Sequence, residues 1–256
     1  AASVLDPAAA ASAALSHRVA AALDAMQTVA ADLDASWMAG LQQLCTEGGE
    51  AAHKWAEHVN MLASVAQLHK DWAEASLLFR LANPVLKALH GEVGLEYAEL
   101  LNSEGECLLE LKCHHLAAPL FDLAHKAVAT AHGSDDASVA SIEANQAAVL
   151  SASGQGQKAE ALFAAALERI RTSAVALEEE GQQQQGQQGG GEGRAEEESN
   201  LFMVQVMQAR VLKLYAAHEE AAAPHAAEAE AQARQEHAKS LRAEAHRLET
   251  TYGFCS

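Results

Sequence analysis

The stretch Ala117-Ala118-Pro119-Leu120-Phe121-Asp122-Leu123-Ala124 decides the fold, because the chain contains it three times in variant form. Forty-two residues upstream stands Ala75-Ser76-Leu77-Leu78-Phe79-Arg80-Leu81-Ala82, and 42 residues downstream stands Ala159-Glu160-Ala161-Leu162-Phe163-Ala164-Ala165-Ala166. Each copy has a small residue, a Phe four places on, and a second small residue three places after that. On a helix this spacing puts all three on one face, an aromatic knob between two small residues that let a neighbouring helix approach. A fixed period of this length is the mark of a repeat architecture, so it outranks any local reading.

Working outward, Leu86, Val128 and Ile170 are equivalent, as are Val65, Cys107 and Val149, and His90-Gly91 matches His132-Gly133. Each unit reads as two helices. The second, for example about 116–131, ends near a Gly able to take the left-handed conformation that follows many helices. The first, about 94–111, has Leu95, Ala98, Leu101, Gly105, Leu108 and Leu109 at helical spacing. Lys70-Asp71 and Gly154-Gln155-Gly156 read as the joins between first and second helices. His90 and His132 serve helix ends, where a hydrogen-bonding or cationic ring meets free carbonyls.

Composition agrees. The 256 residues include 60 Ala and only 4 Pro, with 50% apolar but 4% aromatic side chains, so the core must be built mainly from Ala, Leu and Val. Ala loses no side-chain entropy in a helix, and an all-α fold follows. The net charge of -18, acidic in both halves, disfavours nucleic acid and anionic membrane surfaces as partners and favours basic ones. No stretch is apolar enough for direct membrane insertion. The scattered Cys45, Cys107, Cys113 and Cys255 argue against a disulfide framework and for a reducing compartment. The Ala/Ser-rich opening, with no initiating Met, suggests a soluble intracellular protein cut from an organellar targeting peptide, in a mitochondrion or chloroplast.

The unit resembles a tetratricopeptide repeat of the 42-residue kind found in the kinesin light chain. The run from Gly154 to Phe163 carries the family's turn and second-helix motif, and Val59-Asn60-Met61-Leu62-Ala63 its first-helix motif. The resemblance implies a right-handed α-solenoid of stacked antiparallel helix hairpins. Repeats are assigned to residues 52–91, 93–133 and 135–176, with a degenerate one at 8–49, where Trp37 takes the Phe place, completing the helical region 1–177. The Gln/Gly/Glu-rich tract 178–199 has no large apolar anchor and is expected to be a disordered insertion. Residues 200–256 form a further degenerate repeat, with first helix 201–217 and second helix about 221–239, then a polar capping helix, Leu241–Leu248.

Thirteen histidines invite a search for chemistry. Cys107, Cys113, His114 and His115 lack a second close pair, and Cys107 sits at a packing position of the repeat. His53, Glu57 and His58 do not follow the His-Glu-x-x-His order. There is no nucleophile elbow and no phosphate-binding glycine motif. No catalytic residue, metal site or cofactor is assigned.

In tetratricopeptide arrays the first helices line a concave groove that holds a peptide, so the resemblance makes the groove the expected partner site. Its matching positions are Glu57, Asn60, Ser64 and Gln67, then Glu99, Asn102, Glu106 and Glu110, then Ser141 and, one place out of register, Asn145. Asn grips peptide backbone through paired donor and acceptor groups, and the glutamates favour Lys or Arg in the ligand. The basic clamps of chaperone-binding arrays and of kinesin light chains have the opposite sign. The expected function is a non-catalytic protein-protein interaction scaffold, either an adaptor or assembly factor, or an accessory subunit of a large complex. The alternative is a metal-binding or enzymatic helical domain.

Overall fold

The computed structural model describes residues 49–133, 136–184 and 191–253, with side chains at 53–133, 136–179 and 199–253. The degenerate repeat expected at 8–49, Cys45 and Cys255 lie outside them. Among the described residues the fold is all-α. In chain order the helices are α1 Gly49–Leu68, α2 Trp72–His90, α3 Leu95–Glu110, α4 His114–His132, α5 Ala137–Ala152, α6 Gly156–Gln184, α7 Gly191–Ala222 and α8 Glu228–Tyr252. A 3-10 turn at Ala223–His225 separates the last two. The chain divides into two compact units, Ala1–Ala127 and Val128–Ser256.

The repeat is written into the backbone of the turns. Lys70, Lys112 and Gly154 all have positive φ, at 64°, 62° and 78°, and stand 42 residues apart. Each closes a first helix with the same three bonds. Lys70 N–H reaches Gln67 O, Lys112 reaches Leu109 O and Gly154 reaches Ser151 O, at 2.9–3.0 Å. The next residue donates five back: Asp71 to Ala66, Cys113 to Leu108 and Gln155 to Leu150, at 2.8–3.0 Å. The residue before donates four back, His69 to Val65, Leu111 to Cys107 and Ser153 to Val149. This is a Schellman-type ending, in which a left-handed residue lets orphan carbonyls be satisfied as the chain reverses.

Packing carries the same period. In the first unit α1 packs on α2, α2 on α3, and Phe121 of α4 lies against Gly105 of α3. Phe79, Phe121 and Phe163 are at most 1% exposed, and their flanking alanines, 75 and 82, 117 and 124, 159 and 166, are all fully buried. Burying one such Phe stabilises by roughly 1.5–3 kcal/mol. In the second unit α6 and α7 form the central pair, with α5 and α8 packed on them. There Phe163 stacks on Tyr215 of α7, ring centroids 5.2 Å apart, and His237 of α8 meets Tyr215 edge-on at 5.1 Å.

Two parts of the domain plan differ from expectation. Of the tract 178–199 expected as an insertion, residues 178–184 continue α6 and 191–199 belong to α7, while 185–190 lie outside the described residues. The cause is visible in the repeat: Gly91 and Gly133, which follow α2 and α4 with positive φ, would be matched at position 175, but Val stands there. With no stop signal the helix runs on through Glu and Gln, both good helix formers. The capping helix Leu241–Leu248 is likewise not a separate element. It is part of α8, which begins after the Pro224 turn and ends only at Gly253, the next residue with positive φ.

Candidate interaction surface

Spacings of three and four place Glu57, Asn60, Ser64 and Gln67 on one side of α1, and Glu99, Asn102, Glu106 and Glu110 on one side of α3. The two rows meet at one point. Gln67 Nε2 donates to Glu106 Oε2 at 3.1 Å, and Asn102 Nδ2 donates to Glu106 Oε1 at 2.9 Å. Glu106 is only 8% exposed, so it joins α1 to α3 instead of standing open to solvent. Ser64 Oγ turns back onto Asn60 O in its own helix, and Glu57 pairs with His53 Nε2 at 3.2 Å. Glu57, Glu99 and Glu110 are exposed.

In the second unit Ser141 is half-buried on α5. Asn145, expected on an open face, is fully buried, and its Oδ1 accepts from Arg210 of α7 at 3.1 Å. The reason is topological. α7 packs on α5 as well as on α6, so a side of α5 that an isolated hairpin would leave open is covered.

Sequence reasoning missed the polar groups that tie second helices to their neighbours. Arg80 Nε of α2 donates to Glu104 Oε1 of α3 at 2.8 Å, and Tyr97 of α3 lies 3.5 Å from Asn83 Oδ1 of α2. Glu104 is 3% exposed. Burial raises its carboxyl above the ordinary range, outweighing the opposite pull of Arg80. A signal was available, since a Glu occupies a register position where the preceding unit has Leu62.

The second unit holds a cleft of about 560 Å³ where the α5–α6 turn faces the α7–α8 turn, lined by Ser151, Gly156, His218, His225, Glu230 and Arg234 among others. Ser151 Oγ and His218 Nδ1 are 2.8 Å apart. A serine nucleophile needs a base oriented by a third group. The other nitrogen of His218 is buried without a partner, and burial holds the ring below its ordinary pKa. Arg234 is committed to Glu160, Glu219 and Glu230 at 2.9–3.3 Å. Glu219, 2% exposed, also takes His237 Nδ1 at 3.0 Å. This network holds α6, α7 and α8 together. Among the described residues no group of three or more His, Cys, Asp or Glu is placed to hold a metal ion. No helix there is long and apolar enough to cross a membrane.

These features define an all-α protein of helix hairpins built on a 42-residue internal repeat. No family model matches the sequence, and no curated protein matches it. Among solved structures the chain is similar to the crystal structure of BtubC (BKLC) from P. vanneervenii, with 15% identity over 95% of this chain and 94% of that one, at a TM-score of 0.39. A likeness that distant carries no functional argument.

Proposed function

We propose that this chain is a non-catalytic protein-interaction scaffold of the tetratricopeptide kind, working as an adaptor or as an accessory subunit, and that the α1–α3 face of the first unit receives a basic segment of its partner. The observation that carries this reading is the charge of that face. On that side α3 carries Glu99, Glu106 and Glu110, and the helix has no Lys or Arg. The Gln67–Glu106–Asn102 bridge fixes the two helices while leaving Glu57, Glu99 and Glu110 on the outside. Acids held on packed helices are better placed to select a ligand than acids on a loop, because less side-chain and backbone freedom is lost on binding.

The test is capture from the native source at low salt with full-length protein, quantified against the triple variant Glu57→Gln, Glu99→Gln and Glu110→Gln. Glu106 is left intact so that the bridge survives. The reading predicts that proteins retained by the wild type elute as salt is raised and are depleted several-fold on the variant. Equal retention by both would refute the acidic face as the contact.

A further inference from the structure

The hairpin of α1 and α2 brings together two histidines that are far apart in the sequence. His53, near the start of α1, and His90, the last residue of α2, have ring centroids 5.9 Å apart, tilted at 53°. Each ring has one nitrogen beside a carboxylate. His53 Nε2 lies 3.2 Å from Glu57 Oε1, and His90 Nδ1 lies 3.3 Å from Glu96 Oε2 at the start of α3. A carboxylate keeps the N–H on the nitrogen it faces and leaves the lone pair on the other. The nitrogens left over are Nδ1 of His53 and Nε2 of His90, and the latter is buried without a hydrogen-bond partner.

The repeat accounts for only one of the two rings. His132 recurs at the place of His90 and likewise has its Nδ1 beside a carboxylate, Asp136 Oδ2 at 3.2 Å, so a His at the end of a second helix belongs to the hairpin. The place of His53 is taken by Leu95 in the middle repeat and by Ala137 in the next. The second ring is therefore an addition peculiar to this hairpin. Spacing along one helix does not reveal the pair. The His nearest to His53 in sequence is His58, whose Nδ1 meets Lys54 O of its own helix.

Imidazoles oriented by carboxylates are the ligands that zinc-like divalent transition metals favour. A zinc–nitrogen bond of about 2.0–2.1 Å places the ion roughly 3.2 Å from each ring centroid, so one ion spans rings up to about 6.4 Å apart. A tetrahedral angle at the metal asks for about 5.2 Å, a small closure that His53 can supply because its side chain is 45% exposed. We propose that His53 and His90 form a two-histidine site for a divalent transition-metal ion of the zinc class, with Glu57 and Glu96 as orienting carboxylates and water in the remaining positions. The ion clamps the start of α1 to the end of α2. Two protein ligands make this an open, exchangeable site, unlike the closed set of four that holds a structural zinc. The site stands apart from the proposed scaffold role and shares only Glu57 with the acidic face.

The probe is zinc chloride added to the full-length protein, with magnesium chloride as control because Mg2+ prefers oxygen ligands. Zinc bound to the folded chain raises the melting temperature by several degrees once its concentration is well above the dissociation constant, and magnesium does not. His53→Gln and His90→Gln each remove that rise and one zinc per chain in equilibrium dialysis. His132→Gln, which alters the lone ring of the next hairpin, changes neither. Equal zinc counts for wild type and His53→Gln would overturn the inference, as would a loss in His90→Gln alone, which would leave His53 out of the site. So would a melting temperature that zinc lowers, since the metal would then favour the unfolded chain.

Discussion

Gly105 of α3 is the point of closest approach between the two helices of the middle repeat. A Cβ built on it would lie 2.6, 2.9 and 3.0 Å from Cε1, Cζ and Cδ1 of Phe121. Carbon atoms in contact prefer about 3.5–4.0 Å, so three ring atoms would be overlapped by roughly half to one ångström. The ring cannot swing away, because Phe121 is fully buried between Ala117 and Ala124, which are fully buried themselves. Overpacking of this kind costs about 1–3 kcal/mol. Against it, replacing Gly by Ala inside a helix gains about 1 kcal/mol. The clash wins, and Gly105→Ala is expected to destabilise by about 1 kcal/mol, where the same change at an uncrowded helical site would stabilise. The equivalent positions in the flanking repeats are Ala63 and Ala147, both fully buried, so there a methyl already fits beside Phe79 and Phe163. Ala147→Gly should then lose about 1 kcal/mol or somewhat more, from helix propensity and a small void. Urea unfolding followed by circular dichroism measures both. A Gly105→Ala protein more stable than wild type would refute the packing described for the middle repeat.

Other expectations follow from the turns and the buried charge. Lys112 holds positive φ at a position where the next repeat has Gly154, and an L-residue there is strained by about 1–2 kcal/mol; Lys112→Gly should stabilise by up to about 1 kcal/mol after the added freedom of the unfolded chain is subtracted, read as a higher urea midpoint. Glu104, its carboxyl raised by burial, binds a proton more readily folded than unfolded, so its contribution is full below the ordinary Glu value and is lost as pH rises through the raised one. Glu104→Gln keeps the acceptor for Arg80 and should gain on wild type as pH climbs from 4.5 toward 7; a variant that instead falls further behind wild type at pH 7 would show that Arg80 outweighs burial. His218 has the reverse sign: burial lowers its pKa, so the second unit should lose stability as pH falls below about 6.5, and His218→Gln should reduce that loss in melting curves taken across this range.

The repeat was legible because its strongest signal, the Phe between two small residues, is the packing contact itself. All nine residues of that pattern are buried. The turns were only half legible. Gly154 announces a left-handed residue, whereas Lys70 and Lys112 adopt the same conformation without a residue type that advertises it. The end of α6 is hidden in the sequence because low complexity masks the helix propensity of its Glu and Gln, and the continuity of α8 because its polar stretch resembles a separate element although Ser240 breaks nothing. On the interaction surface, spacing identified which residues share a helix side and could not show which sides a neighbouring helix covers. Glu106 and Asn145 were therefore expected outward and are buried, one bridging to Gln67 and the other bonded to Arg210.

The central claim is that the first unit presents a fixed acidic face to a basic partner. The most direct measurement is an equilibrium titration of the full-length protein with a labelled lysine-rich peptide and, in parallel, an acidic peptide of equal length, over a series of salt concentrations. The account predicts binding of the basic peptide alone, weakening as salt rises, with a shallower salt dependence for the protein carrying Glu57→Gln, Glu99→Gln and Glu110→Gln. Equal affinity for the two peptides, or a salt dependence untouched by the substitutions, would contradict it.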